Sequence, residues 1–413
     1  MSTSSFFKFH RVIRRLHEGP LGVHIDAYAA LLQEQGYKRP SACVHLQIVA
    51  DLSRWMQRRE LDVNDIDAET LKRYLHCRRH YVGRYRGASA APYKILGMLR
   101  DRGIVEQEKR PVSVDEGERT AADFKRYLAQ ERGLSAAILH TYLPVVRQFL
   151  RERFGCGPIE FSALCATDLT RFVQRHAHER SPRTAQHMVG ALRAFLRYLR
   201  YQGKITSDLA ACVPTVANWS FSTLPRFLQP GQVQQVIGHC NRRTALGRRN
   251  YAILLLLARL GLRAGEVVAM TLDDIDWKAG HLTVRGKGGR GAQMPLPAEV
   301  GSAIAGYLQD GRPRCTSRRL FIREHAPRVG FANSAGISTL VQRALAHAGV
   351  DSPHTGAHVF RHTLAVEMLR HGASLGEIGE LLRHQHPDTT QIYAKVDLSA
   401  LRPLALRWPG GGR

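Results

Sequence analysis

The sequence predicts a mainly α, multidomain protein, with a small antiparallel β-sheet confined to an α+β C-terminal part. Three observations carry that prediction. Most of the first 210 residues place apolar side chains at three- and four-residue intervals, the period of an amphipathic helix. A stretch with three prolines and no sustained period, Cys212 to Gly231, then interrupts the chain. Beyond it two short strand-like runs flank a Gly- and Lys-rich turn, the pattern of a β-hairpin.

Taken in order, the chain opens on MSTSSFFKFHRVIRR, which is basic but followed by no apolar core or cleavage site of a secretory leader. Ile138 to Arg151 and Gly190 to Leu199 show clear helical periodicity, and Ser181-Pro182 reads as a helix start with Gly203 as its stop. A faint repeat runs through this half. YAALLQEQG (28–36), SRWM (53–56), LKRYL (71–75) and GMLRDRGIV (97–105) find counterparts in FKRYLAQERG (124–133), RQFL (147–150), LTRFV (169–173) and FLRYLRYQGKI (195–205). The spacings agree within a few residues, so we read two related helical domains; shared patterning of two small bundles by chance is the alternative. Glu106 to Glu118, charged and poorly periodic, reads as a linker. Past the proline-rich stretch comes a buried helix, Tyr251 to Leu260, then Gly261, LDDIDW at 272–277, and the strands His281 to Arg285 and Ala292 to Leu296 around GKGGRG, with helices filling the remainder. The expected domains are 1–110, 111–215 and 216–400, with a tail at 401–413.

Charge narrows the partner. Lys and Arg exceed Asp and Glu by 25, spread as +8 over 1–110 (20 minus 12), +5 over 111–224 (15 minus 10) and +12 over 225–413 (25 minus 13). An excess distributed along the whole length points to a polyanion, with nucleic acid favoured over a membrane surface. No segment suits a bilayer, since the longest apolar run, YAILLLLA at 251–258, falls far short of the ~20 residues a spanning helix needs. Seven scattered cysteines without a CxxC pair suit a reducing cytoplasm rather than disulfides or zinc.

Several residues can do chemistry, each unremarkable alone. Arg263 follows Gly261 with Glu266 one helical turn on, an arrangement that holds a guanidinium or is simply a surface pair. Lys287 sits at the tip of the hairpin, where ordinary turn chemistry is the plain reading. In HVFRHTLAVEML (358–369), His358 and Arg361 share a helix face; His358 and His362 resemble two metal ligands, but a zincin needs Glu where Val359 stands. HQHPDTTQIYA (384–394) holds His384, His386 and Tyr393. As a set, two arginines, a lysine, two histidines and a tyrosine suit attack on a phosphodiester without metal or cofactor. Guanidiniums clamp the non-bridging oxygens, histidines donate hydrogen bonds or move protons, lysine protonates the departing oxygen and tyrosine attacks.

The order Arg, Lys, His-x-x-Arg, His, Tyr resembles the tyrosine recombinases, the phage-integrase and Xer-like site-specific DNA recombinases. The matching text is GLRAGEV (261–267), VRGKGGR (284–290), HVFRHT (358–363) and LLRHQHPDTTQIYAKV (381–396), over about residues 225–400. The resemblance implies that Tyr393 is the nucleophile, that Arg263 and Arg361 bind the scissile phosphate, that Lys287 is the general acid, and that His358 and His384 assist at the phosphate, with Glu266 supporting Arg263. It also implies helical DNA-binding domains ahead of an α+β catalytic domain, a core-binding domain at about 120–210, and a tetramer on two DNA sites joined by exchange of the tail LSALRPLALRWPGGGR (398–413). Partner recombinases have room in the extra N-terminal segment. Two departures stand out. The usual Leu-Gly-His is Leu-Arg-His at 382–384, and 110 residues precede the usual helical domain. Read this way, His386 is a bystander before Pro387, and Thr389 or Thr390 caps the short helix that carries Tyr393. A non-catalytic DNA-binding protein, a type IB topoisomerase, and a metal-dependent nuclease using Asp273, Asp274 and Asp276 are the competing readings.

Overall fold

Helices form where the sequence pattern gives them one apolar face and a cap. The structure, a computed structural model, describes residues 3–82, 87, 89–106, 116–155, 157–217, 225–229, 231–286, 291–352 and 355–396. Residues 1–106 hold α1 (His10–Leu16), α2 (Ile25–Glu34), α3 (Arg39–Gln57), α4 (Ala68–Cys77), α5 (Arg79–Val82) and α6 (Ala90–Asp101). Helix α4 starts where the Asp67 carboxylate accepts the Thr70 N–H at 2.7 Å. Next come α7 (Glu116–Gln130), α8 (Ala136–Phe154), α9 (Ala166–Ala177) and α10 (Pro182–Tyr201). Ser181 caps α10 ahead of Pro182, and Gly203, in the left-handed region at φ 67°, follows its end. Helix α7 begins at Glu116, so the charged stretch read as a linker gives its last three residues to a helix.

The backbone divides into two units, residues 107–222, and residues 1–106 with 223–413. In the second unit the two segments keep separate apolar cores, one around Tyr28, Leu46 and Tyr74, the other around Leu254, Leu256 and Phe360.

The part from 223 onward contains α11 (Gln232–Gly238), α12 (Ala245–Arg259), α13 (Ala264–Ala269), β1 (Ile275–Asp276), β2 (His281–Arg285), β3 (Gly291–Pro295), α14 (Ala298–Asp310), α15 (Ser334–His347), α16 (His358–Arg370), α17 (Leu375–Leu381) and α18 (Asp388–Gln391). The apolar run at 251–258 is the end of a longer helix than the sequence predicts, since Thr244 caps α12 a turn and a half earlier by accepting the Gly247 N–H. Leu254, Leu255, Leu256 and Leu257 are all fully buried, so the second half of α12 is apolar all round, and the helix packs against α14 and α16. The expected hairpin is β2 and β3, with Leu282 opposite Met294 and Val284 opposite Ala292. A third strand, β1, pairs antiparallel with β2 through Ile275–Leu282 and Asp276–His281, which makes the order β1-β2-β3. The sheet thus has one strand more than the sequence pattern predicts.

Candidate active site

Gly261 opens the site. It adopts φ 57° just after α12, and a Cβ there would lie 2.6 Å from the Leu382 side chain, so the turn needs glycine both for its conformation and for its closeness to the 382–384 loop. The turn delivers Arg263 to the N-cap of α13. There the Glu266 carboxylate accepts the Arg263 backbone N–H at 2.8 Å and its Nη1 at 2.9 Å. Glu266 is itself buried, and its second partner is Arg383, whose Nη2 donates at 2.9 Å.

Arg361 rises from α16 into the interior and is only 4% exposed. Its guanidinium donates to the Gly261 carbonyl at 2.5 Å and to the Leu382 carbonyl, which locks it between the two loops. One residue on, His362 Nδ1 lies 2.9 Å from the hydroxyl of Tyr393. Tyr393 sits in a 3-10 turn, Ile392–Val396, and is 1% exposed. His384 Nδ1 bonds the Thr390 hydroxyl at 2.7 Å. That contact corrects an expectation: Pro387 occupies the N-cap of α18 and makes no side-chain cap bond, and Thr390 holds His384 instead of capping. His358 begins α16, exposed, with its ring 6.4 Å from that of His362. His386 is exposed. Lys287 lies outside the described residues, as does the tail at 401–413; of the hairpin, the strands on either side of the Lys287 turn are described.

Charge ties these groups together. Burial pushes the Tyr393 hydroxyl up to about 12, against the pull of Arg361 and Arg263. Burial also lowers His384 to about 4, reinforced by Arg361, Arg263, His362 and Arg383, so its imidazole is neutral at neutral pH. Burial, Arg263 and Arg383 bring Arg361 down to about 10, which leaves it charged at neutral pH. Burial opposes ionisation of Glu266, but its bonds to Arg263 and the charge of Arg383 outweigh that and hold the carboxyl below the usual range. The result is a buried phenol beside a concentrated positive field, the environment in which an anion is stabilised.

Spacing does not single out two residues that matter in this site. By sequence His362 is half of a metal-like pair, whereas its ring bonds the tyrosine hydroxyl. By sequence Arg383 is a departure from Leu-Gly-His. The structure gives it φ 55°, the left-handed conformation that glycine adopts freely, and an ion pair to Glu266 holds the larger residue there. The three aspartates of the nuclease reading are engaged elsewhere. Asp273 pairs with Arg318, Asp274 accepts from Thr271 and Arg285, and Asp276 accepts the N–H groups of Lys278 and Ala279. Among the described residues no three His, Cys, Asp or Glu side chains converge as a metal site, and no helix is long and apolar enough to cross a membrane.

Residues 226–399 match the phage integrase family. The provisionally named integrase/recombinase y4rA of Sinorhizobium fredii is 47% identical over 403 residues, covering 96% of this chain and 97% of its own. The chain belongs to the phage integrase family of tyrosine recombinases. Tyrosine recombinase XerD of Listeria monocytogenes is 28% identical over 281 residues, 66% of this recombinase and 93% of XerD. Among solved structures, XerH bound to its difH substrate in a post-cleavage complex aligns with a TM-score of 0.56 at 19% identity, over 70% of this chain and 84% of XerH. A lambda integrase (75–356) dimer bound to a COC' core site gives 0.51 at 16% identity, over 67% and 94%. At those identities the likeness speaks for the fold, which is that of the tyrosine recombinases.

Proposed function

We propose that this recombinase cleaves and rejoins duplex DNA at specific sites through a 3'-phosphotyrosine, without metal or cofactor, with Tyr393 as nucleophile. The observation that carries the reading is the Tyr393 hydroxyl, buried, bonded to His362 at 2.9 Å and subject to the charges of Arg361 and Arg263. In the step we assign, Tyr393 Oη forms a bond to phosphorus as the bond to the 5'-oxygen breaks. The phenolic proton passes to His362, and the departing oxygen takes a proton from Lys287. Arg263 and Arg361 neutralise the non-bridging oxygens, and neutral His384, held through Nδ1 by Thr390, presents its other nitrogen to them. His358, at the mouth of α16, assists there, while Glu266 and Arg383 orient Arg263. Rejoining is the reverse attack by a 5'-hydroxyl, so the bond energy is kept in the phosphotyrosine and nothing else is consumed.

Two DNA sites and four cleavages make a tetramer on DNA the working unit, in keeping with the lambda integrase tetramer bound to a Holliday junction among the structural neighbours. Residues 111–215 are assigned as the core-binding domain, 216–400 as the catalytic domain and 401–413 as the exchanged tail, in a cytoplasmic enzyme. The chain's distributed positive charge supports the DNA assignment. The test is Tyr393→Phe. Wild-type protein on nicked genomic fragments is expected to leave a covalent protein–DNA adduct, and the variant to bind DNA equally well with no adduct. An adduct that survives the substitution, or none from the wild type, would overturn the assignment.

A further inference from the structure

We propose that residues 1–106 form a second duplex-DNA-binding module, built as a copy of the module at 116–213, that holds phosphates in an arginine-lined cleft. This rests on the recombinase reading above and gives a role to the one part of the chain that reading leaves unused.

Duplication is argued from the cores. Helices α3 and α8 are both 19 residues long, and each leads through a single 3-10 turn, Val63–Asp65 or Phe161–Ala163, to a shorter amphipathic helix, α4 or α9. The buried positions keep step: Tyr28 with Phe124, Leu46 with Leu143, Val49 with Val146, Leu71 with Leu169, Tyr74 with Phe172, and Leu99 with Leu199. The separation grows only from 96 (28 to 124) to 100 (99 to 199). Left-handed glycines fall in step as well, Gly36 with Gly133 after the first helix and Gly103 with Gly203 after the last. Two unrelated bundles share a helical period, but not the phase of four helices, a 3-10 turn and two glycine stops at nearly one spacing. This correspondence also moves one of the sequence pairs: RQFL at 147–150 falls in step with 50–53, a turn earlier than SRWM.

Arginines coincide too, Arg54 with Arg151, Arg73 with Arg171 and Arg100 with Arg200; Arg73, Arg151, Arg171 and Arg200 are exposed, while Arg54 and Arg100 are half-buried. Residues 1–106 carry 18 Lys and Arg against 11 Asp and Glu, and three of the arginines line one cleft. A cleft of about 380 Å³ between α1 and α3 is lined by Arg11, Arg15, Gln47, Arg54 and Tyr81. Arg11 and Arg15 stand one turn apart on α1, both exposed. Arg54 is pinned by the Arg15 carbonyl at 3.1 Å and by Glu18 at 3.8 Å. The exposed guanidiniums of Arg11 and Arg15, beside an Arg54 paired with Glu18 and Asp51, offer donors for phosphate oxygens, with Gln47 and Tyr81 at the same cleft. A polyphosphate backbone satisfies them together with the rest of the positive surface; a free phosphate or nucleotide is the small-molecule source of the same chemistry.

The experiment uses the full chain and a random-sequence duplex of ~60 bp, whose binding is read as a function of salt because backbone contacts alone set that dependence. Arg11→Gln with Arg15→Gln removes two charges and leaves the Arg15 carbonyl in place for Arg54. The slope of log affinity against log salt is expected to fall by about 1.8, with roughly a 30-fold loss of affinity at ~150 mM salt by the same relation. Arg11→Lys with Arg15→Lys is expected to keep the wild-type slope, which separates lost charge from lost folding. An unchanged slope in the Gln variant with an unchanged melting temperature overturns the proposal, and a changed oligomeric state in that case reassigns the cleft to a protein partner. An unchanged slope in the Gln variant, together with direct binding of inorganic phosphate or ATP that the Gln variant loses, overturns it in favour of a small-anion site. Failure of the recombinase reading shows separately, as absence of the Tyr393 adduct, and leaves the salt slope standing.

Discussion

At the scale of single residues, the buried phenol poses the main chemical problem. With its hydroxyl raised to about 12, ionising Tyr393 at neutral pH without help costs about 7 kcal/mol. The Arg361 and Arg263 charges already act on it, and a bound phosphodiester uses part of that field for itself. A base that accepts the proton as the bond to phosphorus forms removes the need for a free phenolate, and His362 Nδ1 is in place at 2.9 Å. His362→Asn keeps a side-chain oxygen able to accept the hydroxyl hydrogen bond but has no basic nitrogen. We expect single-turnover adduct formation to fall about 10²–10³-fold, DNA affinity to stay within twofold, and the acid limb of the pH–rate profile to disappear. A variant that cleaves at the wild-type rate with the same pH profile removes His362 from the proton path.

At the scale of elements, the site is two loops pinned to one helix. Arg361 on α16 holds the carbonyls of the Gly261 turn and of Leu382, and Glu266 on α13 ties Arg263 to Arg383 on the second loop. Glu266 is therefore the anion that three guanidiniums need in order to share one small volume. Glu266→Gln keeps the shape and deletes the charge, and a loss of about 3 kcal/mol in unfolding free energy at neutral pH is expected. That is the low end for a broken buried pair, since Arg263 is 38% exposed and partly screened by solvent. The pH dependence has a definite sign. The folded carboxyl is held below its unfolded value, so its contribution is complete above the unfolded carboxylate range and fades as pH falls through the folded one. Urea unfolding of the two proteins should differ at pH 7 and converge in acid; a constant difference across pH would show a packing effect only. These elements also explain what the sequence made legible. Residues close in the chain announced themselves: Arg263 with Glu266, His358 with Arg361, His384 with Tyr393, each within a few turns of helix. What stayed hidden depends on distant segments meeting. The His362–Tyr393 bond joins residues 31 apart and the Arg383–Glu266 pair residues 117 apart. Strand β1 has two residues, too few for any alternation to show.

At the scale of the whole molecule, positive charge decides what can enter the site. The net charge of +25 is spread over every segment, and the cluster of Arg263, Arg361 and Arg383 has one carboxylate, Glu266, already shared between two of them. A divalent cation approaching that cluster meets repulsion without free carboxylate ligands, while the nearby acidic stretch at 273–276 is committed to arginines, a hydroxyl and backbone N–H groups. In the proposed mechanism the guanidiniums supply the charge neutralisation that a metal supplies in a nuclease. Adduct formation by the full chain should therefore persist unchanged in excess EDTA, and added magnesium should act only as salt does, weakening binding by competing for phosphates. If EDTA abolishes the adduct and magnesium restores it while sodium at matched ionic strength does not, the chemistry runs through a cation, and Arg263 and Arg361 are not what neutralises the phosphate.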